Sequence, residues 1–326
     1  MPERISKLQT MAVGLGTSTY ATVSAAFTRG LMVSNFNAGP GKQKVDGVPE
    51  IRNKLEINRV TKGPIDYDAS LSFPLDVGDA TSASIGDFLG SLFGTDTGSV
   101  STGVYTHLFT VLESSQPSYL NLYSTKDAIN KQCVGFVPVE LKLTIKQTEG
   151  LITCDVSGFY QSESDLVAAQ SVVFSGEQCM LPSQATLLKI AGSSVANTQW
   201  ETCTITIKRD YDKGRFIGTS RNIADRYGKN FRTTVDLEGI EFADDTERAK
   251  FIANTTSSFQ ITLTESANHT LDLTLPTTYY TTWDGVNLNN EDVMKIKVSM
   301  LATGTAQTCT LKNVFAARYS DGTAIV

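Results

Sequence analysis

Apolar and polar residues alternate along most of this chain. Between residues 139 and 159, VELKLTIKQTEGLITCDVSGF, the apolar Val139, Leu141, Leu143 and Ile145 interleave with Glu140, Lys142, Thr144 and Lys146. A period of two puts one set on each face of a strand. After the turn-prone Thr148, Glu149 and Gly150 the alternation resumes with Ile152, Cys154 and Val156, which predicts an antiparallel hairpin. Residues 293–315, VMKIKVSMLATGTAQTCTLKNVF, repeat the pattern with Ile296 and Val298 against Lys295, Lys297 and Ser299, a break at Gly304, then Cys309 and Leu311. A second hairpin is expected there.

The echo extends upstream in the same order. KLEINR at 54–59 corresponds to TITIKR at 204–209, and DYDASLSFPL at 66–75 to FRTTVDLEGI at 231–240. A helix follows each. Ser84 is the expected N-cap of the first, whose Ile85, Phe88, Leu89, Leu92 and Phe93 form one apolar stripe ended by Gly94. The second, TERAKFIAN after Asp244 or Asp245, offers only Ala249, Phe251 and Ile252 as apolar surface. HLFTVLE and SYLNLYS then correspond to SFQITLT and TLDLTLP. Alternation is generic to antiparallel β proteins, but a shared order of elements with a helix at the same place in each half argues for tandem duplication. A period of roughly 150 residues fits a doubled domain, not a solenoid. The expected fold is mainly β: two antiparallel β-sandwich or barrel-like domains, 1–168 and 169–326, each with one flanking helix and long loops.

Composition is compatible with this. A chain of 326 residues, 40% hydrophobic and 19% charged, suits two folded domains with real cores. The net charge of −6 argues against a surface that clamps phosphate, which needs clustered Lys and Arg. The cysteines at 133, 154, 179, 203 and 309 form no CxxC pair or metal spacing, and an odd, scattered set suggests a reducing compartment. The N-terminal apolar patch is interrupted by Thr and Ser before reaching the ~18 residues of a membrane span.

Candidate chemistry is sparse. His107 and His269 lie beside strands, with no HExxH or triad-like neighbourhood. Gly14 and Gly16 in MAVGLGTST lack the third glycine and the Lys-Ser/Thr ending of a phosphate loop. Asp66 with Asp68, and Asp244 with Asp245, read as solvated or capping acids before catalytic pairs. Neither a catalytic residue nor a metal or cofactor site is expected. Three polar, glycine-containing segments stand out as loops: 37–53, 94–104 and 209–230. Segments of this length are functional or disordered, and an arm that orders against another copy is the sharper reading.

The succession TSTYATV, KLEINR, SFPL leading into IGDFLGSLFG, and VPVELKLTIKQTEGLITCDVSGFYQSES resembles the tail tube (major tail) proteins of long-tailed bacteriophages. The second-half runs WETCTITIKRDYDKGRFIGTSRN and NFRTTVDLEGIEFADD are similar to the same family, so the resemblance covers nearly the whole chain. It implies a non-enzymatic structural protein of the virion tail, assembled in the host cytoplasm, with six folds closing each ring of a hollow tube that DNA passes through. Two folds per chain would make each ring a trimer with pseudo-sixfold symmetry. Implied partners are copies of itself, the tape-measure, tail terminator and distal tail proteins, and double-stranded DNA in non-specific transit, without membrane insertion. Candidate lumen-facing residues are Glu140, Thr144, Thr153, Asp155, Ser157, Ser299 and Thr310. Lys142, Lys146, Lys295 and Lys297 share those faces and are expected to pair with acids. Candidate inter-subunit loop residues are Lys42, Lys44, Asp46, Arg209, Lys213, Arg215, Arg221 and Arg226. Two alternatives share the alternation. A two-domain β-sandwich binding module, such as a lectin or a capsid or tail decoration protein, would stay a small oligomer. A carbohydrate hydrolase would need convergent acids in a cleft.

Overall fold

The computed structural model describes residues 10–15, 27–39, 42–48, 59–112, 118–126, 129–165, 168, 170–174, 176, 179–196, 199–214, 223, 225–242, 245–284 and 296–326. The first part of the chain runs β1 (Thr10–Leu15), β2 (Asn35–Ala38), β3 (Lys42–Val48), β4 (Arg59–Pro74), α1 (Ile85–Phe93), β5 (Gly94–Ser101), β6 (Val104–Val111), β7 (Leu120–Lys126), β8 (Ile129–Lys146), β9 (Thr153–Tyr160) and β10 (Ser162–Asp165). It continues with β11 (Ala185–Ile190), β12 (Ser193–Val195), β13 (Thr202–Gly214), β14 (Asp225–Ile240), α2 (Thr246–Ala253), β15 (Ser257–Ser266), β16 (His269–Asp284), β17 (Ile296–Ala302) and β18 (Thr308–Asn313). Among the described residues the protein is mainly β, antiparallel, with two α-helices.

One run of strands forms a broad sheet. β2 and β3 both pair with β4, followed by β9, the C-terminal part of β8, β13, β14, β17 and the C-terminal part of β16. The N-terminal parts of β8 and β16 pair elsewhere. β8 there lies between β7 and β10, with β1 beyond β7. β16 there lies between β15 and β18, with β11 beyond β15 and β6 beyond β18. Each of these long strands therefore changes neighbours midway. In β8 the change comes at Gly135, whose φ of 69° is left-handed and whose N–H donates to the Asn121 side chain at 2.8 Å. Pro138 and Pro276, which lack an N–H for the ladder, lie close to the two changeover points.

Six pairings recur. β1–β7, β3–β4, β4–β9, β7–β8, β8–β9 and β8–β10 are matched by β11–β15, β13–β14, β14–β17, β15–β16, β16–β17 and β16–β18. Among the described residues the β5–β6 hairpin has no counterpart in the second part of the chain. This corrects the expected frame of the echo. β17 and β18 do not form a hairpin among the described residues; both pair with β16, so the match for the 139–159 hairpin is β16 with β17. HLFTVLE and SYLNLYS shift likewise: β7 and β8 match β15 and β16. A period of two looks the same in every strand, so an inserted hairpin slides the pattern by one strand unnoticed. KLEINR lies almost wholly outside the described residues.

The helices differ as their sequences suggest. Ser84 caps α1, its hydroxyl accepting from Gly86 N, while the Asp87 carboxylate accepts from Ser84 N at 2.9 Å. Arg29 clamps Asp87 with two hydrogen bonds at 2.6 and 3.1 Å. All nine α1 residues are buried, and a Cβ on Gly86 would come within 2.5 Å of the Tyr319 ring. α2 has Asp245 at its N-cap without a side-chain capping bond and buries only Glu247. One continuous apolar cluster takes in α1 and both sets of strands.

Candidate functional site

The feature with the clearest organisation is the polar face of the broad sheet. Alternation sends Leu141, Leu143, Cys154, Val156, Ile205, Ile207, Val235, Leu237, Val298 and Met300 into the core, and their neighbours onto the opposite face. There Glu140, Thr144, Thr153, Asp155 and Ser157 share neighbouring strands β8 and β9, and Ser299 lies on β17 of the same sheet. Thr310 does not join them: it sits on β18, between Asp272 of β16 and Leu108 of β6.

Charges on this face are interleaved. Lys142 stands opposite Asp155, Lys208 Nζ lies 3.7 Å from Glu140, and Lys297 hydrogen-bonds Glu238. Ser72 donates to Asp155 and Ser299 to Asp236. Exposed pairs of this kind add at most about 1 kcal/mol each. Their effect is on the field: among the described residues the face is a near-neutral mosaic of hydroxyls and paired charges, with no basic stripe to hold phosphate.

Groups that invite a chemical reading are engaged otherwise. His107 is buried, its Nδ1 2.9 Å from Asp96 and its Nε2 donating to the Phe315 carbonyl at 3.1 Å. Nδ1 thus ties β6 to β5 and Nε2 ties it to the C-terminal segment, so the nitrogen that a triad would turn towards a hydroxyl faces a main-chain carbonyl instead. Asp66 and Asp68 line an open cleft of about 630 Å³ together with Lys213, Phe159 and Tyr211. The Lys213 ammonium lies 3.3 Å from Asp66 and 3.7 Å from Asp68, over the Phe159 ring. Burial pushes the Cys133 thiol up to about 12 and raises Cys154, Cys203 and Cys309 as well. Among the described residues no group of three or more His, Cys, Asp or Glu is placed to hold a metal ion, and no helix is long and apolar enough to cross a membrane.

The expected loop arms have a different structure. Segment 94–104 is the β5–β6 hairpin, and the described part of 209–230 extends the β13–β14 hairpin. Lys42, Lys44 and Asp46 fall in β3. Arg209 is buried: its guanidinium donates to Leu92 O at 3.0 Å, Phe93 O at 3.2 Å and Leu112 O at 2.6 Å, closing the C-terminus of α1. Arg226 is buried too, stacked over Tyr119. Neither is a surface arm. Lys213 is half-buried on β13, and Arg215 and Arg221 lie outside the described residues.

Sequence reasoning missed the sheet's two ends. Among the described residues β2 pairs with β4 alone, and β16 beyond Thr278 pairs with β17 alone. Phe36 and Ala38 on β2 are only partly buried. So is Trp283 on β16, which stacks on Phe242 at 5.2 Å and on Phe251 at 6.1 Å. Ile252 of α2 is 71% exposed. A strand edge without a neighbour presents a row of main-chain N–H and C=O groups.

A family model described as phage tail tube protein matches residues 10–307. No individual curated protein matches the chain. The family match spans most of the sequence, and the chain belongs to the phage tail tube protein family.

Proposed function

We propose that this structural tail tube protein builds rings of three chains, each supplying two tandem copies of one fold, 1–168 and 169–326, and that the rings stack into the conduit for double-stranded DNA. The observation that carries the reading is the recurrence of six strand pairings on either side of the β8–β13 junction. Each half lends a similar set of strands to the broad sheet: β2/β3, β4, β9 and β8 from one, β13, β14, β17 and β16 from the other. A closed sheet of roughly 24 strands, spaced by about 4.8 Å and tilted by about 40°, is ~50 Å across between backbones. Side chains narrow that to a bore that still admits duplex DNA.

In such a ring the polar face lines the bore. Its hydroxyls and mutually neutralised charges give phosphate neither a cation array to bind nor a steep barrier, so DNA slides. Closure removes the open edges that would otherwise promote uncontrolled pairing. Assembly in the bacterial cytoplasm, and contacts with the tape-measure, terminator and distal tail proteins at the tube ends, belong to the same reading.

Negative-stain microscopy of the purified protein across concentration and salt tests it. Striated hollow tubes or threefold rings are expected. A monomer that persists at high concentration in every condition contradicts the proposal.

A further inference from the structure

The β8–β13 junction inside the chain reads as a template for the junction between chains. We infer that β2 of one copy pairs antiparallel with the C-terminal part of β16 of the next, with Phe36 opposite Trp283. This rests on the ring reading above and adds the joint and its register.

The register follows from matching rows of the two halves. Where β8 and β16 take on their second set of neighbours, the row Pro138, Gly158, Ala69 corresponds to Thr278, Ala302, Thr233, small inward-facing residues in both. Further along, Leu141, Val156, Leu71 correspond to Tyr280, Met300, Val235, and Leu143, Cys154, Phe73 to Trp283, Val298, Leu237. Trp283 therefore occupies the place of Leu143. On the other side, Phe36 stands opposite Leu71 as Ile205 stands opposite Val235, so Phe36 occupies the place of Ile205. Within the chain Ile205 faces Leu143. Between chains the same geometry puts Phe36 against Trp283, Asn37 against Thr282 and Ala38 against Tyr280.

Burial differs between the halves where this joint predicts it should. Leu143 and Ile205 are buried at 6% and 1% exposure, whereas Phe36 and Trp283 are only partly covered. α1 touches β13 and its Leu92, two residues before the left-handed C-cap Gly94, is fully buried. Ile252, two residues before the left-handed C-cap Asn254 of α2, is 71% exposed. The exposed group is the one whose covering strand would come from another copy. An aromatic pair across an antiparallel joint is also among the better cross-strand pairs.

The test is a disulfide trap in a Cys179→Ser background, which removes the half-buried native thiol. Asn37→Cys with Thr282→Cys, mildly oxidised after assembly, is expected to link most chains into covalent dimers and trimers, at least tenfold above either single variant. Lys142→Cys with Thr206→Cys, opposed within the chain, should close without joining chains. In parallel, amide exchange at 35–38 and 279–284 should slow at least tenfold on assembly of the unmodified chain. Tubes that form without the 37–282 link and without this protection overturn the joint while leaving the ring reading intact. Failure of the unmodified chain to assemble under any condition removes both.

Discussion

Leu143 on β8 and Ile205 on β13 stand opposite each other, both buried, where the two halves of the broad sheet meet. That junction belongs to the folded chain, whereas Phe36 and Trp283 are only partly buried, and on the inferred joint their ends of the sheet are completed by assembly. Ile205→Ala should cost the isolated chain about 3 kcal/mol, the usual loss for truncating a buried Ile. Phe36→Ala should cost it less than about 1.5 kcal/mol yet abolish tube formation. Urea unfolding paired with sedimentation of assembled material separates the two effects.

Arg209 donates to three main-chain carbonyls at the end of α1 and in the segment after β6. Arg209→Met keeps much of the side-chain volume but leaves buried acceptors unpaired, so a loss of about 2–4 kcal/mol is expected. Arg209→Lys can satisfy fewer of them and should fall between. Chemical denaturation measures both.

The bore account makes charge on the polar face a matter of DNA retention. Glu140→Lys, Asp155→Lys and Asp236→Lys together turn paired positions into a basic stripe. The triple variant should shift short duplex DNA in gel electrophoresis at ~50 mM salt and release it as salt rises. The unmodified chain should leave DNA mobility unchanged throughout.

Alkaline pH should destabilise the fold. Burial raises the thiols of Cys133, Cys154, Cys203 and Cys309 above their ordinary value of 9.0, Cys133 to about 12. These groups hold their protons more tightly folded than unfolded. Their contribution is therefore complete below about pH 9 and is lost as pH rises through the folded values. Melting temperature should stay flat between about pH 7 and 8.5, then fall steadily towards pH 11, while thiol reagents label these four buried cysteines more slowly than half-buried Cys179 at about pH 8.

Local features were legible in the sequence and global pairing was not. Ser84 as N-cap, the α1 stripe, the sparse apolar face of α2 and the inward positions of β4, β8, β9, β13 and β14 follow from caps and periods that act over a few residues. The partner of each strand does not, because Ile296 and Val298 alternate with lysines much as Leu141 and Leu143 alternate with Glu140 and Lys142. The β5–β6 hairpin, without a counterpart among the described residues of the second half, was enough to misplace the hairpin frame. Arg209 did leave a signal. It continues the inward series Cys203, Ile205, Ile207, so a buried guanidinium was readable from the alternation alone. Trp283 carried the weaker cue of an aromatic near the end of a long strand, and its open edge emerges only when every other strand has been assigned a neighbour.

The mass of one ring, from native mass spectrometry or from mass per length along the tube, tests the central claim most directly. Two folds per chain predict three copies of the 35.3 kDa chain in each ring, with true threefold and approximate sixfold symmetry in cross-section. Six copies per ring, or a cross-section without approximate sixfold repetition, would contradict it.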